Sequence, residues 1–265
     1  LICHVYLIFL GLYRNKRYKL YGRKPHFIEG QRKFMFKLPS LEEMLKAGMH
    51  FGHRTHRWHP KMKPYIFTAK NGIYVIDLEK SREMLGQALE FMSSLIKEGK
   101  HVLFVGTKSQ VREPMKKMAE MTGQPYIVGK WLGGYLTNFS VVKKSVKKYQ
   151  ELVEKRETGK LSKYTKKERL DFDREIKRLH ERVGGLTSLV KMPDALFVWD
   201  IKEEATAVAE AHKKNIPVIG VCDTNVNPEE VNYPIPANDD ATKTVKLLME
   251  VIQSAIIDAK KDLKS

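Results

Sequence analysis

The sequence predicts an α/β fold, with a three-layer α/β/α Rossmann-like body and a mostly parallel sheet. The first observation is a set of continuous apolar runs, 101–106, 195–200 and 217–221, which is typical of parallel strands buried on both faces. The second is the helical periodicity between these runs, which gives a βαβ order. The third is a long charged stretch, 138–183, whose charge density exceeds that of a buried crossover helix.

The first elements have clear end signals. Ser40 and Glu43 form a capping box for a short helix, and Asp77 caps a helix that ends near Lys97. The other predicted strands are 65–67, 73–76, 125–128 and 233–235, and the other predicted helices are 108–121, 203–214 and 240–260. Strands thus alternate with helices in a doubly wound style.

Two long polar helices are predicted over 138–157 and 165–182. Each has a narrow apolar stripe, formed by Val142, Val146, Tyr149, Leu152 and Val153 in the first and by Leu170, Ile176, Leu179 and Val183 in the second. Such stripes indicate an antiparallel, coiled-coil-like hairpin that protrudes from the body. We therefore expect 35–137 and 184–262 to form the α/β body and 138–183 to be a helical insertion.

Residues 1–34 form a basic lead that does not fit this pattern. Met35 opens a well-formed start, so we expect translation to begin there and the lead not to be native; the alternative is a basic arm that folds on RNA. The two cysteines, Cys3 and Cys222, provide no disulfide framework, which fits a reducing compartment. No apolar run is long enough for a membrane span.

The charge distribution predicts a polyanionic partner. The net charge is +17. Residues 143–182 carry fifteen Lys or Arg and eight Asp or Glu, whereas residues 183–265 carry nine and thirteen. This asymmetry suits a protein that places one face on nucleic acid and another on solvent or protein.

Four histidines recur every third residue in the stretch 50–65, which Pro60 and Pro64 predict to be a loop. They are His50, His53, His56 and His59. A metal interpretation would place a Mg or Zn ion on the set His53, Asp223, Asp239 and Asp240. The interleaved Arg and Lys oppose a cation, so a packing or hydrogen-bonding role for His50 and His53, and RNA contact for His56 and His59, remain open beside it.

Cations and aromatic residues together favour RNA binding, because phosphates attract charge and bases stack on flat faces. They cluster in the histidine-rich stretch, beside Gly133 and Gly134, and on one face of the first long helix. The candidate rRNA-binding residues are Arg54, Arg57, Trp58, Lys61, Lys63, Lys108, Lys130, Trp131, Lys143, Lys144, Lys147 and Lys148.

The alternative is an α/β protein that binds a small molecule, such as a nucleotide or phosphosugar, at the strand ends. Asp200 and the segments 106–108, 131–134, 223–225 and 238–240 would line that site. However, no P-loop or dinucleotide fingerprint occurs, and no catalytic motif is present. We therefore expect no enzymatic activity and no required cofactor.

The motifs together resemble one family. Ala47–His53, Trp58–Ile66, Leu103–Lys108, Lys130–Asn138 and Cys222–Asn225 are similar, in order, to the second protein of the small ribosomal subunit. Further similar segments are Asp77–Lys80, Leu161–Glu168, Met192–Val198, Ile216–Val218 and Ile235–Ala241. The similarity covers about residues 38–258, and the motif variants are those of the bacterial and organellar branch.

The resemblance implies a Rossmann-like body with a protruding helical hairpin and no enzymatic activity. It implies binding to small-subunit rRNA where the head meets the body, next to other small-subunit proteins. In many bacteria the family also anchors the large mRNA-binding ribosomal protein S1. The expected location is the ribosome, in the bacterial cytoplasm or in an organellar matrix or stroma.

Overall fold

A computed structural model describes residues 37–262, which belong to one compact unit. The strands are β1 (Phe51–Arg54), β2 (Ile66–Lys70), β3 (Ile73–Ile76), β4 (Val102–Val105), β5 (Tyr126–Ile127), β6 (Ala195–Trp199), β7 (Val218–Cys222) and β8 (Tyr233–Pro236). The α-helices are α1 (Leu41–Lys46), α2 (Leu78–Lys97), α3 (Ser109–Thr122), α4 (Phe139–Glu157), α5 (Lys166–Val183), α6 (Ala205–Lys213) and α7 (Thr242–Lys261). Short 3₁₀ helices are Thr55–Arg57, Pro60–Tyr65, Gly184–Leu186 and Pro228–Glu230.

The predicted α/β fold with a mostly parallel sheet is confirmed. The central sheet has the order β5-β4-β6-β7-β8, and every pair in it is parallel. Its residues alternate between two cores: Phe104 lies in the core covered by α2, α3 and α7, whereas Leu103 lies in the core on the other face, with α6. Both faces of the sheet are therefore buried, as the continuous apolar runs predict.

A second, smaller sheet was not fully predicted. It is antiparallel, with the order β1-β3-β2, and β1 lies inside the histidine-rich stretch that we expected to be a loop. Pro60 does exclude a long α-helix, but it begins a 3₁₀ helix instead. The four residues of β1 include a glycine and a register irregularity, so they lack the alternation that would identify a strand.

The two long helices lie close to the predicted bounds and pack on each other. Residues from both stripes join one core, and Lys148 Nζ lies 2.8 Å from Glu175 Oε1. Leu170 is an exception to its predicted stripe, because its side chain is 51% exposed. The coiled-coil geometry and the division into body and insertion remain predictions.

The basic lead lies outside the described residues, as does Cys3. The start at Met35 and the alternative of an arm that folds on RNA therefore remain predictions. Within residues 37–262, no helix is both long and apolar enough to cross a membrane.

Candidate nucleic-acid interface and strand-end cluster

The histidine-rich stretch is fastened to the loop that follows β7. The His53 N–H donates to Thr224 Oγ1 and the His59 N–H donates to the Thr224 carbonyl, each at 2.8 Å. A Cβ on Gly52 would lie only 2.5 Å from Thr224 Cγ2, so a side chain at this position of β1 would prevent the contact. The stretch is thus part of the folded body.

The side chains of His50 and His53 are both partly buried. The rings of His50 and Phe51 have centroids 4.0 Å apart, and burial lowers the pKa of His50. His53 Nδ1 lies 3.1 Å from Asp223 Oδ1, and this hydrogen bond raises the pKa of His53. On the other edge of the ring, Nε2 lies 3.3 Å from the Asn225 amide nitrogen.

Lys108 lies among carboxylates and does not face the solvent as an rRNA ligand would. Its Nζ is 2.9 Å from each of Asp200, Asp239 and Asp240. Burial alone would lower the pKa of Lys108, but the hydrogen bonds to these carboxylates outweigh it and raise the pKa. We therefore correct the sequence-based assignment: Lys108 neutralises the strand-end acidic cluster, Asp200, Asp223, Asp239 and Asp240.

The predicted role of Trp131 as an rRNA-binding residue is also corrected. Its side chain is only 8% exposed, and its indole N–H donates to Glu210 Oε1 at 3.2 Å. The ring packs edge-on against Tyr135, with the centroids 5.0 Å apart. A tryptophan that is buried and hydrogen-bonded in this way cannot stack on a base, so it holds the loop after β5 in place. Lys130, its neighbour, is exposed.

The cations of residues 54–63 remain available on the surface. Arg54, Arg57 and Lys63 are exposed and have no ion pair within residues 37–262, whereas Lys61 pairs with Glu229. Trp58 is half-buried, with its ring centroid 5.1 Å from that of Tyr74. Trp58 and Lys63 line a shallow cleft of about 320 Å³ with Ile66, Thr68, Ala69 and Tyr74. Of the two outer histidines, His56 is exposed, and His59 Nδ1 accepts from the Lys61 N–H.

Helix α4 presents the lysine quartet Lys143, Lys144, Lys147 and Lys148, all of them exposed. Lys147 lies 3.9 Å from Glu151, and Lys148 pairs with Glu175 of α5. Lys143 and Lys144 form no ion pair in the part of the chain that the structure describes, so they can offer their full charge to a partner.

The strand ends do not suit a phosphorylated ligand. The Thr107 N–H, which follows β4, donates to Glu204 Oε1 at 2.9 Å, and Lys108 is engaged by three carboxylates. The donors that could have received a phosphate are therefore occupied, and the surrounding charge is negative. This arrangement argues against the alternative of nucleotide or phosphosugar binding.

Two structural carboxylates were missed by the sequence reasoning. Glu204 and Glu210 are buried acids at or near α6 that accept hydrogen bonds from two separate loops. The sequence did contain a sign that Glu210 is buried. Glu210 lies three residues after Ala207, on the apolar face of a short amphipathic helix. A buried acid on that face requires donors from elsewhere in the fold.

The fold and these surfaces define a class of protein. It is a basic α/β protein with cationic side chains on its surface and no recognisable set of catalytic residues among residues 37–262. The family model "Ribosomal protein S2" matches residues 44–259. The chain belongs to this family, and is of the bacterial type.

Two curated relatives agree with the family model. The chain is 47% identical over 221 residues to "Small ribosomal subunit protein uS2" of Coprothermobacter proteolyticus, which covers 83% of this chain and 82% of that protein. It is 46% identical over 227 residues to the protein of the same name from Fusobacterium nucleatum, which covers 85% of this chain and 92% of that protein.

Family membership gives the general role. The chain is a structural constituent of the ribosome that serves translation, and its family is not an enzyme family. It is therefore associated with the ribosome, together with rRNA and other ribosomal proteins.

Proposed function

We propose that the chain binds small-subunit rRNA at the junction of head and body, and supports translation there as a structural component without enzymatic activity or a required cofactor. The observation that carries the proposal is the set of exposed cations in residues 54–63, at Lys130 and on α4. These are Arg54, Arg57, Lys61, Lys63, Lys130, Lys143, Lys144, Lys147 and Lys148. Trp58 adds a half-buried aromatic edge beside Lys63.

Recognition is by shape and backbone. The deep groove of A-form RNA hides base edges, whereas phosphates remain accessible to lysine and arginine. In this proposal 138–183 is an insertion that carries the α4 quartet to rRNA, while 35–137 and 184–262 form the body. Ribosomal protein S1 and other small-subunit proteins are the protein partners that the family resemblance supports.

The test is incorporation into the small subunit. Changing Lys143, Lys144, Lys147 and Lys148 together to Glu should impair incorporation, because it replaces attraction to phosphate with repulsion. Cells that express the tagged chain are lysed, and sucrose-gradient sedimentation of the lysate measures the fraction of the tagged chain that is in small subunits.

A matched control separates local from global charge effects. The control variant changes four exposed lysines of the acidic part, Lys213, Lys214, Lys243 and Lys246, to Glu. Its net charge is the same as that of the α4 variant, yet it should incorporate normally. Normal incorporation of the α4 variant would refute the assignment of α4 to rRNA.

Contact with ribosomal protein S1 has its own measurement. Small subunits that contain the tagged chain are washed in high salt and probed for S1 by mass spectrometry. The proposal expects S1 to be recovered in proportion to the tagged chain, and subunits that retain the chain but never S1 would remove this partner.

A further inference from the structure

Trp58 differs from the other two tryptophans of the chain. Trp131 is buried and its indole N–H donates to Glu210. Trp199 is also buried, and its indole N–H donates to the Asp239 carbonyl. Trp58 is only half-buried, and its indole N–H has no hydrogen-bond partner among residues 37–262. Trp58 therefore has both a flat apolar surface and a donor to offer a ligand.

The shallow cleft beside Trp58 contains further polar groups that are not engaged. Its lining residues are Trp58, Lys63, Ile66, Thr68, Ala69 and Tyr74. In the described part of the chain, the Thr68 and Tyr74 hydroxyls and the Lys63 ammonium group form no hydrogen bond or ion pair. Its volume of about 320 Å³ is at the lower end of small-molecule sites, which span roughly 300–1,000 Å³. The cleft thus suits one planar group rather than a helix.

Tyr74 holds the indole of Trp58 in place before any ligand binds. The two ring centroids are 5.1 Å apart and the ring planes are inclined by 44°. Tyr74 belongs to β3, whereas Trp58 lies between the 3₁₀ helices Thr55–Arg57 and Pro60–Tyr65, so the pair joins two separate segments. A ring that is already oriented loses little conformational freedom when a flat group stacks on it.

The cleft also adjoins an edge strand. The order β1-β3-β2 leaves β2 paired on one side only within residues 37–262, and β2 supplies Ile66, Thr68 and Ala69 to the lining. The backbone N–H and C=O groups on the outer side of an edge strand are free to form hydrogen bonds. Nucleobases carry donors and acceptors side by side along their edges, so they match groups of this kind.

Positive charge surrounds the cleft. Lys63 lines it, and Arg57 and Lys70 are the chain neighbours of the lining residues Trp58 and Ala69. All three cations are exposed, and none forms an ion pair with another described residue. A nucleotide within a strand has a phosphate on each side of it, which these cations would attract. A stacking surface combined with cations favours RNA over a peptide strand.

We propose that this cleft binds one unpaired nucleotide of RNA, with its base stacked on Trp58 and its phosphates beside Lys63 and Arg57. The Thr68 and Tyr74 hydroxyls supply hydrogen bonds to the base edge or the ribose. The inference rests on the proposed function and deepens it, because it names the form of RNA that this surface takes. That form is a single-stranded loop or bulge, whose bases can be splayed out onto aromatic side chains. The α4 quartet, by contrast, suits the phosphates of a helix.

The test uses the purified full-length chain and a short oligoadenylate, with the duplex of this strand and oligouridylate as the comparison. A base that stacks on an indole quenches its fluorescence. Because Trp131 and Trp199 are buried, such quenching reports on Trp58. We expect the single strand to quench the fluorescence and the duplex to leave it nearly unchanged. Trp58→Phe should abolish the quenching.

Filter binding measures the affinity of each variant for both RNAs. Trp58→Leu should weaken binding of the single strand by roughly 5–100-fold, as expected for loss of one stacked base, and leave binding of the duplex unchanged. Ala69→Ile should have the same selective effect without removing Trp58. It fills the cleft from an exposed strand position, where a β-branched residue is well tolerated.

Phe67→Ile is the matched control. Phe67 is an aromatic residue of the same strand and is 75% exposed, but it does not line the cleft. The affinity of this variant for the single strand should equal that of the wild type. Circular dichroism shows which variants are folded, and either Trp58→Leu or Ala69→Ile is sufficient for the comparison.

Three outcomes would overturn the inference. The first is that the duplex quenches the fluorescence as strongly as the single strand, or that neither RNA quenches it. The second is that the folded Trp58→Leu and Ala69→Ile variants bind the single strand as tightly as the wild type. The third is that Phe67→Ile weakens binding as much as Trp58→Leu does.

A failure of the cleft differs from a failure of the proposed function. If the cleft alone is wrong, the chain still binds the duplex and small-subunit rRNA, and that binding still depends on the α4 quartet. If the proposed function is wrong, the wild-type chain binds neither the two test RNAs nor small-subunit rRNA.

Discussion

Glu210 shows how one buried side chain positions a whole loop. Its Oε1 accepts from the Trp131 indole N–H and the Gly134 N–H, and its Oε2 accepts from Leu136 and from both the N–H and hydroxyl of Thr137. Burial raises the pKa of Glu210, but these hydrogen bonds outweigh it and lower the pKa. The carboxylate thus stays ionised and fixes the segment that leads into α4.

Glu210→Gln should destabilise the protein. The amide keeps the size of the side chain but replaces one accepting oxygen by a donor that faces other donors, at a cost of about 1–3 kcal/mol in the free energy of unfolding. Urea unfolding measures it. The exposed Glu203→Gln is the control and should change stability by less than about 0.5 kcal/mol. Equal effects from both variants would contradict this role of Glu210.

The sequence was least informative about the contacts of individual side chains. Lys108 and Trp131 have the chemistry of rRNA ligands, yet one is held by three carboxylates and the other by Glu210. Their partners are about 70 or more positions away in the chain, so residue type alone could not reveal the contacts. The cations of the α4 quartet were easier to predict, because helical spacing alone places them on one face.

At the scale of elements, α4 and α5 depend on each other for burial. Leu152 of α4 is buried in the same core as Ile176 and Leu179 of α5. Polar contacts flank this core, including the Tyr149 hydroxyl 2.8 Å from His180 Nδ1. A helix with so narrow an apolar stripe gains most of its stability from such packing.

Leu152→Ala should lower the free energy of unfolding by roughly 2–5 kcal/mol, because it leaves a cavity between the helices. Leu170→Ala is the matched control, since Leu170 lies in α5 but is exposed, and should cost less than about 0.5 kcal/mol. Chemical denaturation monitored by far-UV circular dichroism compares the two. The prediction fails if the two leucines prove equally important.

Elements with a strong periodic signal were predicted well, whereas short irregular ones were not. The bounds of α4 and α5 agree with the predicted helices to within one residue at each end, as expected for long amphipathic segments. By contrast, β1 is held as a strand by its pairing with β3 and its contact with Thr224. Such tertiary contacts produce no periodic pattern of apolar residues in the sequence, so the sequence could not predict this strand. The predicted stripe of α5 also included Leu170, because periodicity alone cannot show which apolar residues of a helix remain exposed.

At the scale of the whole molecule, opposite charges are separated. Asp200 and Asp239 of the strand-end acidic cluster are buried and are bridged by Lys108, while the α4 quartet and residues 54–63 present cations outward. Binding to rRNA then proceeds with release of counterions from phosphate. Affinity for rRNA should therefore fall steeply as salt rises.

The salt dependence can be assigned to particular lysines. Changing Lys143 and Lys144 together to Gln should reduce the slope of log affinity against log salt by roughly two, about one for each lost phosphate contact. Filter binding of the purified chain to small-subunit rRNA across a KCl series measures the slope. The variant Lys213→Gln with Lys214→Gln is the control. An unchanged slope for Lys143→Gln with Lys144→Gln would place these lysines away from phosphate.

The sheet order has a consequence for how the chain matures during synthesis. β4 pairs with β6, which is about 90 residues later, and α7 packs on α2 and α3 near the end of the described chain. Non-local pairing of this kind delays completion of the core, whereas α4 and α5 contact each other over a short separation and can form early. We therefore expect the basic helices to emerge and become ordered before the body closes, so that nascent chains can meet RNA while their sheet is still incomplete.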